Sequence, residues 1–170
     1  MRKMDAQSER ASRGNVMEND LQKIMGCTCL RMRRATRRAT QLYDHALGPA
    51  GLTVNQFGLL GYLHGAGFAP AQASSIGTIA EWLGMDPTTL NRNLKPLLAK
   101  GMVKNATDPA DGRVRIVRIT EKGLRTLREA LPRWRNAQTA IEKAIGPKSM
   151  TELNKLLDLS SDKLRSSGQG

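Results

Sequence analysis

One helix closes at Gly84 and another opens at Asp86, and this junction restricts the fold more than any other feature of the chain. Ser75-Ile76-Gly77-Thr78-Ile79-Ala80-Glu81-Trp82-Leu83-Gly84 sets Ile76, Ile79, Ala80 and Leu83 on one face of a short helix. The glycine ends it, because glycine adopts the left-handed conformation that helix termini need. Asp86-Pro87-Thr88-Thr89 then starts the next helix. The aspartate accepts from free N–H groups of the first turn, and proline at the first helical position lacks the donor that would go unmatched. This helix runs from Asp86 to Lys100 with Leu90, Leu94, Leu97 and Leu98 as its apolar stripe, and Gly101 stops it. Pro96 removes a backbone donor, so a mild kink or a lost hydrogen bond is expected near Arg92. Two helices joined so tightly have the form of a helix-turn-helix.

Around that junction the chain reads as mainly α with a small β-hairpin. Leu21, Ile24, Met25, Thr28, Met32, Ala35, Ala39, Leu42 and Ala46 recur every three or four residues and predict one amphipathic helix over residues 19–47, closed by Gly48-Pro49. Thr53 is placed to cap a second helix carrying Phe57, Leu59, Leu60, Tyr62 and Leu63. Gly65, Gly67 and Pro70 break it, and a loop is expected up to Ser74. Beyond Gly101, two runs rich in β-branched residues, 102–106 and 114–120, flank a turn-forming cluster from Thr107 to Arg113, which predicts a two-stranded wing. Thr120 caps a long helix marked by Leu124, Leu127, Leu131, Trp134, Ala137, Ile141 and Ile145 and containing Pro132. A last helix, 149–164, follows Gly146-Pro147. Residues 1–18 and 165–170 hold too few apolar side chains to offset their ordering entropy and are expected to be disordered tails.

Charge narrows the function. Lysine and arginine total 27 against 15 acidic residues, a net charge of +12 that asks for a polyanionic partner. A membrane-surface binder gathers such charge on one amphipathic helix bearing Trp or Phe, whereas here it is spread along the chain. No run approaches the roughly 18 apolar residues of a membrane span, and Met1 to Gly14 lacks the apolar core of a signal peptide, so a cytoplasmic protein without a membrane partner is expected. Cys27 and Cys29 are too few for a disulfide framework, and with His45 and His64 they make a poor zinc site. No metal or other cofactor is expected. There is no glycine-rich phosphate loop and no Ser, His and acid set placed by a motif, so no catalysis is expected either. Double-stranded DNA remains. Thr88, Thr89, Asn91, Arg92, Asn93 and Lys95 lie between the leucines of the second helix and can read bases or grip phosphates. Asn91 and Arg92 are the candidates for base edges, and Thr88 and Thr89, at the helix N-terminus, suit phosphates or thymine methyl groups. Arg113 and Arg115 stand at the hairpin tip, where the negative potential of a minor groove would attract them.

Asp108-Pro109-Ala110-Asp111-Gly112-Arg113, followed by Val117-Arg118-Ile119-Thr120-Glu121-Lys122-Gly123, resembles the wing signature of the MarR family of transcription regulators. Ala80 to Leu90 resembles that family's helix-turn-helix, and the order of elements agrees over residues 19–164. The resemblance implies a winged helix-turn-helix DNA-binding lobe over residues 53–120. It also implies a helical dimerisation region formed by an N-terminal helix, 19–48, and C-terminal helices, 121–164. A homodimer would place its two reading heads about 10 base pairs apart on a pseudo-palindromic operator. Asp108 and Asp111 would then structure the wing, with Asp111 holding the wing arginine, and Arg113 or Arg115 would enter the minor groove. A repressor is expected, and regulators of the family that this chain resembles usually respond either to a small anionic or aromatic ligand or to oxidation of a cysteine.

The first helix bears on both signals. At about 100° per residue, Cys29, Arg33, Thr36, Thr40 and Tyr43 align along the edge of its apolar stripe, with Cys27 nearly opposite Cys29, so that the two thiols cannot pair within one helix. Cys29 with Thr40 and Tyr43 resembles the peroxide-sensing branch of the family, the organic hydroperoxide resistance regulators. Arg33 stands where that branch has a tyrosine, and Phe57 has no hydroxyl. An arginine there can lower a thiol pKa or bind a ligand carboxylate instead. Tyr62 and His64, near the loop before the reading head, are further candidates to line an effector pocket. Release by a small anionic or aromatic ligand is the leading expectation and oxidation of Cys29 the alternative. A nonspecific architectural DNA binder and a thiol peroxidase acting through Cys29 are the remaining readings.

Overall fold

The computed structural model describes residues 17–66, 75–108 and 111–167, and two compact units divide the chain, residues 1–41 and 42–170. In the first unit, helix α1 (residues 17–25) is separated from α2 (Thr28–Leu47) by Gly26 and Cys27. The single helix predicted over 19–47 is thus broken. Glycine is about 1 kcal/mol less favourable than alanine in a helix interior. The Gly26 N–H is shared between the carbonyls of Gln22 (3.2 Å) and Lys23 (3.1 Å), a terminal pattern, and the Arg31 N–H opens α2 on the Cys27 carbonyl at 3.1 Å. Cys27 therefore stands ahead of α2 and Cys29 in its first turn, so the two cysteines do not lie on opposite sides of one helix.

The second unit begins with the end of α2, and a 3-10 turn (Gly48–Ala50) leads to α3 (Val54–Ala66). Thr53 caps α3 as expected, in a reciprocal box. Its Oγ1 accepts from the Gln56 N–H at 3.3 Å, and Gln56 Oε1 accepts from the Thr53 N–H at 3.1 Å. Asp44 on α2 accepts from the Val54 N–H at 2.7 Å and so ties the two helices together. Helix α4 (Ile76–Trp82), capped by Ser75, ends at Gly84, whose φ of 61° allows the Met85 N–H to reach the Ala80 carbonyl at 2.8 Å. Helix α5 (Pro87–Ala99) follows, then β1 (Val103–Thr107), β2 (Arg115–Ile119), α6 (Glu121–Ile145) and α7 (Pro147–Ser167).

The core sits where these elements meet. Leu47, Leu59, Leu60, Ile79, Leu90, Leu94, Leu97 and Val117 are fully buried and come from α2, α3, α4, α5 and β2. Each such side chain contributes about 1.5–3 kcal/mol. The stripe of α5 is thereby seated against the body, which fixes the direction of its opposite face. The hairpin pairs antiparallel from Val103↔Ile119 to Thr107↔Arg115. Ser75 adds a bridge to Ile116 that the sequence pattern does not signal.

Thr120 joins the wing to α6. Its Oγ1 accepts from the Gly123 N–H at 3.2 Å and donates to the Gly101 carbonyl at 2.8 Å, while its own N–H donates to the Met102 carbonyl at 3.0 Å. Beyond α6, α7 starts at Pro147 rather than Ser149, since proline is well tolerated at the first helical position. Helix α7 also continues through Ser167, so Arg165 to Ser167 are not the tail that composition suggests. Arg165 pairs with Asp162 at 3.1 Å, and the Ser166 and Ser167 hydroxyls donate to carbonyls one turn back. At the other end, residues 17 and 18 are already in α1. The expected loop over 67–74, the wing-tip residues 109–110 and the remaining tail residues lie outside the described residues. Along α7, Leu153, Leu156, Leu157, Leu159 and Leu164 are exposed, an apolar surface that this chain alone leaves uncovered.

Candidate nucleic-acid interface

Asp86 organises the start of α5. Its Oδ1 accepts from the Thr89 N–H at 2.9 Å and its Oδ2 from the Thr89 hydroxyl at 2.6 Å. The Thr89 hydroxyl first, and then the backbone N–H groups, hold the Asp86 carboxyl below its ordinary value. Of the six polar residues predicted to face nucleic acid, Thr88, Asn91, Arg92 and Lys95 are exposed. Their spacing of three, four and seven residues puts them on one face of the helix. Thr89 and Asn93 are half-buried and committed to the helix itself, Thr89 through Asp86 and Asn93 through an Nδ2 bond to the Thr89 carbonyl at 2.9 Å. The exposed face of α5 is therefore Thr88, Asn91, Arg92 and Lys95.

On the wing, Arg113 and Arg115 are exposed, and Asp108 is half-buried. Asp111 Oδ1 accepts from the backbone N–H of Arg113 at 2.9 Å, and the Asp111 carbonyl from the Val114 N–H at 3.0 Å. Asp111 thus shapes the turn that presents Arg113 by holding its main chain. The Asp108 N–H reaches the Val114 carbonyl at 2.9 Å and closes the hairpin below the tip. Cationic side chains consequently project from two separate elements, a capped helix and a hairpin turn.

The residues considered for effector control are placed as follows. Cys29 and Arg33 are exposed, and Thr40 is half-buried. Tyr43, at the end of α2, donates its hydroxyl to Gln138 Oε1 on α6, and Gln138 Nε2 donates to Glu142 Oε1 at 2.8 Å. Burial, and then the Glu142 carboxylate, push the Tyr43 hydroxyl above its usual pKa and keep it protonated. Phe57 and Trp134 stack with ring centroids 5.9 Å apart. Tyr62 is buried and packs against Trp82 at 4.8 Å, and His64 is half-buried. Gln138 and Glu142 escape a sequence reading because their partner lies 95 residues away from Gln138; the only hint is two polar residues one turn apart beside the apolar stripe of α6. Among the described residues, no cluster of three or more His, Cys, Asp or Glu is arranged to hold a metal, and no helix is long and apolar enough to cross a membrane.

A protein-family model described as MarR family matches residues 50–114. Among solved structures, the M. tuberculosis transcriptional regulator MosR in complex with DNA is 32% identical. That match covers 80% of this chain and 97% of MosR, with a TM-score of 0.66. The transcriptional repressor CouR bound to a 23-mer DNA duplex is 22% identical, with 81% and 94% covered and a TM-score of 0.69. CouR from Rhodococcus jostii RHA1 has also been solved with p-coumaroyl-CoA. BpsR of Bordetella bronchiseptica, whose DNA binding is regulated by 6-hydroxynicotinic acid, is 24% identical, with 80% and 94% covered and a TM-score of 0.70. No curated protein matches the sequence.

Proposed function

Because the chain belongs to the MarR family of DNA-binding transcription regulators, we propose that it is a cytoplasmic repressor that binds a pseudo-palindromic operator as a homodimer. The observation that carries this is the face of Thr88, Asn91, Arg92 and Lys95, held out from the body by the buried leucines of α5. This face enters the major groove, Asn91 and Arg92 take base edges, and Thr88 and Lys95 take phosphates. Thr89 and Asn93 support it through the helix. Arg113 and Arg115 reach the adjacent minor groove from the turn that Asp108 and Asp111 shape. The exposed leucines of α7 are covered by a second copy, since monomers rarely leave so large an apolar surface in water. No step of this activity is catalytic.

The test is competition. Duplexes selected by the protein from a random pool should resist displacement by their own scrambled sequence by at least a hundredfold. Equal displacement by both would mark a nonspecific architectural binder and end this reading.

Operator release follows a small anionic or aromatic ligand. The supporting observation is the aromatic surface of Phe57 and Trp134, together with the Tyr43 hydroxyl, on helices that connect the reading head to α6. A second reading, release by oxidation of Cys29, draws on the exposure of that thiol. Aromatic acids, their thioesters and peroxides separate the two when each is added to the protein–operator complex. Peroxide release in wild type but not in Cys29→Ser establishes redox control, and release by an aromatic acid in both establishes ligand control. Sustained peroxide turnover by the pure protein with an added dithiol, which reduces the sulfenic acid back to the thiol, would instead make Cys29 a peroxidase nucleophile.

A further inference from the structure

A cleft of about 470 Å³ lies between α4, the second half of α3 and the last turns of α7. One wall is a pair of rings. Trp82, the last residue of α4, is 64% exposed, although one side of it packs on the buried Tyr62 with ring centroids 4.8 Å apart. An indole this open offers a stacking surface that the fold itself does not use. The opposite wall carries Ser161 and Arg165, one turn apart on α7, and Thr78 and Glu81 line the cleft from α4. Arg165 Nη2 donates to Asp162 Oδ1 at 3.1 Å, the one hydrogen bond of its side chain among the described residues. Glu81 Oε1 stands 3.8 Å from Arg165 Nη1, near enough for attraction and too far for a hydrogen bond. A guanidinium has five N–H donors, so most of this fork is unused.

We propose that this cleft binds a planar aromatic carboxylate, with its ring on Trp82 and its carboxylate on the Arg165 fork in place of Glu81. The inference rests on the reading of ligand release above and names a site for the ligand other than the Phe57–Trp134 surface. The volume falls within the roughly 300–1,000 Å³ that small-molecule sites occupy. A carboxylate is favoured over an amine because the free donors of Arg165 form the planar fork that matches two carboxylate oxygens. The chain's charge of +12 also draws anions to it. Glu81 can give way, since its side chain is 70% exposed and an ion pair so open to water is weak. That exchange unties α4 from α7. Gly84, whose φ of 61° makes the turn into α5, lines the same cleft, so the occupant also lies against the junction that aims the reading helix.

Calorimetric titration of the full-length protein with benzoate, phenylacetate and 2-naphthoate tests the site. Binding should be tightest for 2-naphthoate, which covers most of the indole, and at least tenfold weaker for 2-naphthamide, which keeps the rings and loses the charge. Arg165→Gln and Trp82→Ala should each weaken 2-naphthoate at least tenfold, and Trp82→Phe should recover most of that loss. Lys148→Gln, which removes a cation from the start of α7, should change nothing. Glu81→Gln gives the sharpest sign. It should tighten 2-naphthoate about threefold to tenfold, because the competing carboxylate is gone, and weaker binding would reduce Glu81 and Arg165 to a strut between helices and overturn the proposal. Affinity lost in Trp134→Ala but kept in Arg165→Gln and Trp82→Ala would place the ligand on the Phe57–Trp134 surface, refuting the cleft while ligand release stands. Binding that needs Arg165 and Trp82 yet leaves a selected duplex bound would keep the cleft and end the release reading. No binding of any of the three acids at millimolar concentration would refute the cleft, whatever else releases the operator.

Discussion

Replacing Gly123 with alanine should destabilise the protein, although alanine is the better helix former. An added Cβ would stand 2.1 Å from the Met102 carbonyl oxygen and 2.9 Å from Ile119 Cγ1. Carbon and oxygen in close contact need about 3.3 Å, so the carbonyl must retreat by about 1 Å. It is not free to do so, because it accepts from the Thr120 N–H at 3.0 Å, and Thr120 in turn caps α6. Overpacking of this kind costs about 1–3 kcal/mol. A weakened hydrogen bond adds about 1 kcal/mol, and the helix propensity of alanine offsets at most about 1 kcal/mol. The net loss is about 2 kcal/mol, which lowers Tm by about 4–8 °C for a chain of this length. Thermal unfolding followed by circular dichroism at fixed protein concentration measures it, because the midpoint of a dimer shifts with concentration. An unchanged or raised Tm would show that the wing and α6 do not meet as tightly as the Met102–Gly123 approach requires.

Three further outcomes are expected. Arg92→Ala should weaken binding to a selected duplex by about 1–3 kcal/mol and relax base preference, measured by titration against single-base variants; equal losses on scrambled DNA would remove Arg92 from base reading. Arg113→Ala should make the salt dependence of binding shallower by about one, and an unchanged slope would count against a groove contact. The Asp86 cap should fail only in acid. Its carboxyl is held below its unfolded value by Thr89, so the stability it contributes is present above the ordinary carboxylate pKa of about 4 and is lost as pH falls through the lowered folded value. The Tm difference between wild type and Asp86→Ala should narrow on acidification, and a difference independent of pH would show that the charge of Asp86 plays no part.

Much of this was legible in the residues because the signals are local. Asp86-Pro87 at the start of α5, Thr53 before α3, Thr120 before α6 and the turn cluster before Val114 each act within a few residues, and each is found in its expected role. The expectation failed first at Gly26, where an apolar periodicity that runs through residues 19–47 conceals a break. A hydrophobic stripe reports which face is buried, not whether the backbone between two turns stays hydrogen-bonded. The division of the α5 face was also out of reach. Thr89 and Asn93 look like Thr88 and Asn91 in composition, and only the bonds to Asp86 and to the Thr89 carbonyl separate the residues that support the helix from those it presents. The Tyr43–Gln138 bond and the Ser75–Ile116 bridge join residues far apart in sequence, and no local pattern names their partners.

A homodimeric regulator of the kind proposed would set one α5 from each of two copies on one half of a single operator. Hydroxyl-radical footprinting of a selected duplex, combined with the mass of the complex in solution, tests it most directly. One dimer per duplex and two protected half-sites centred about 10 base pairs apart are expected, with protection of the flanking minor grooves lost in Arg113→Ala. A single protected half-site bound by one chain, or uniform protection without a half-site pattern, would contradict it.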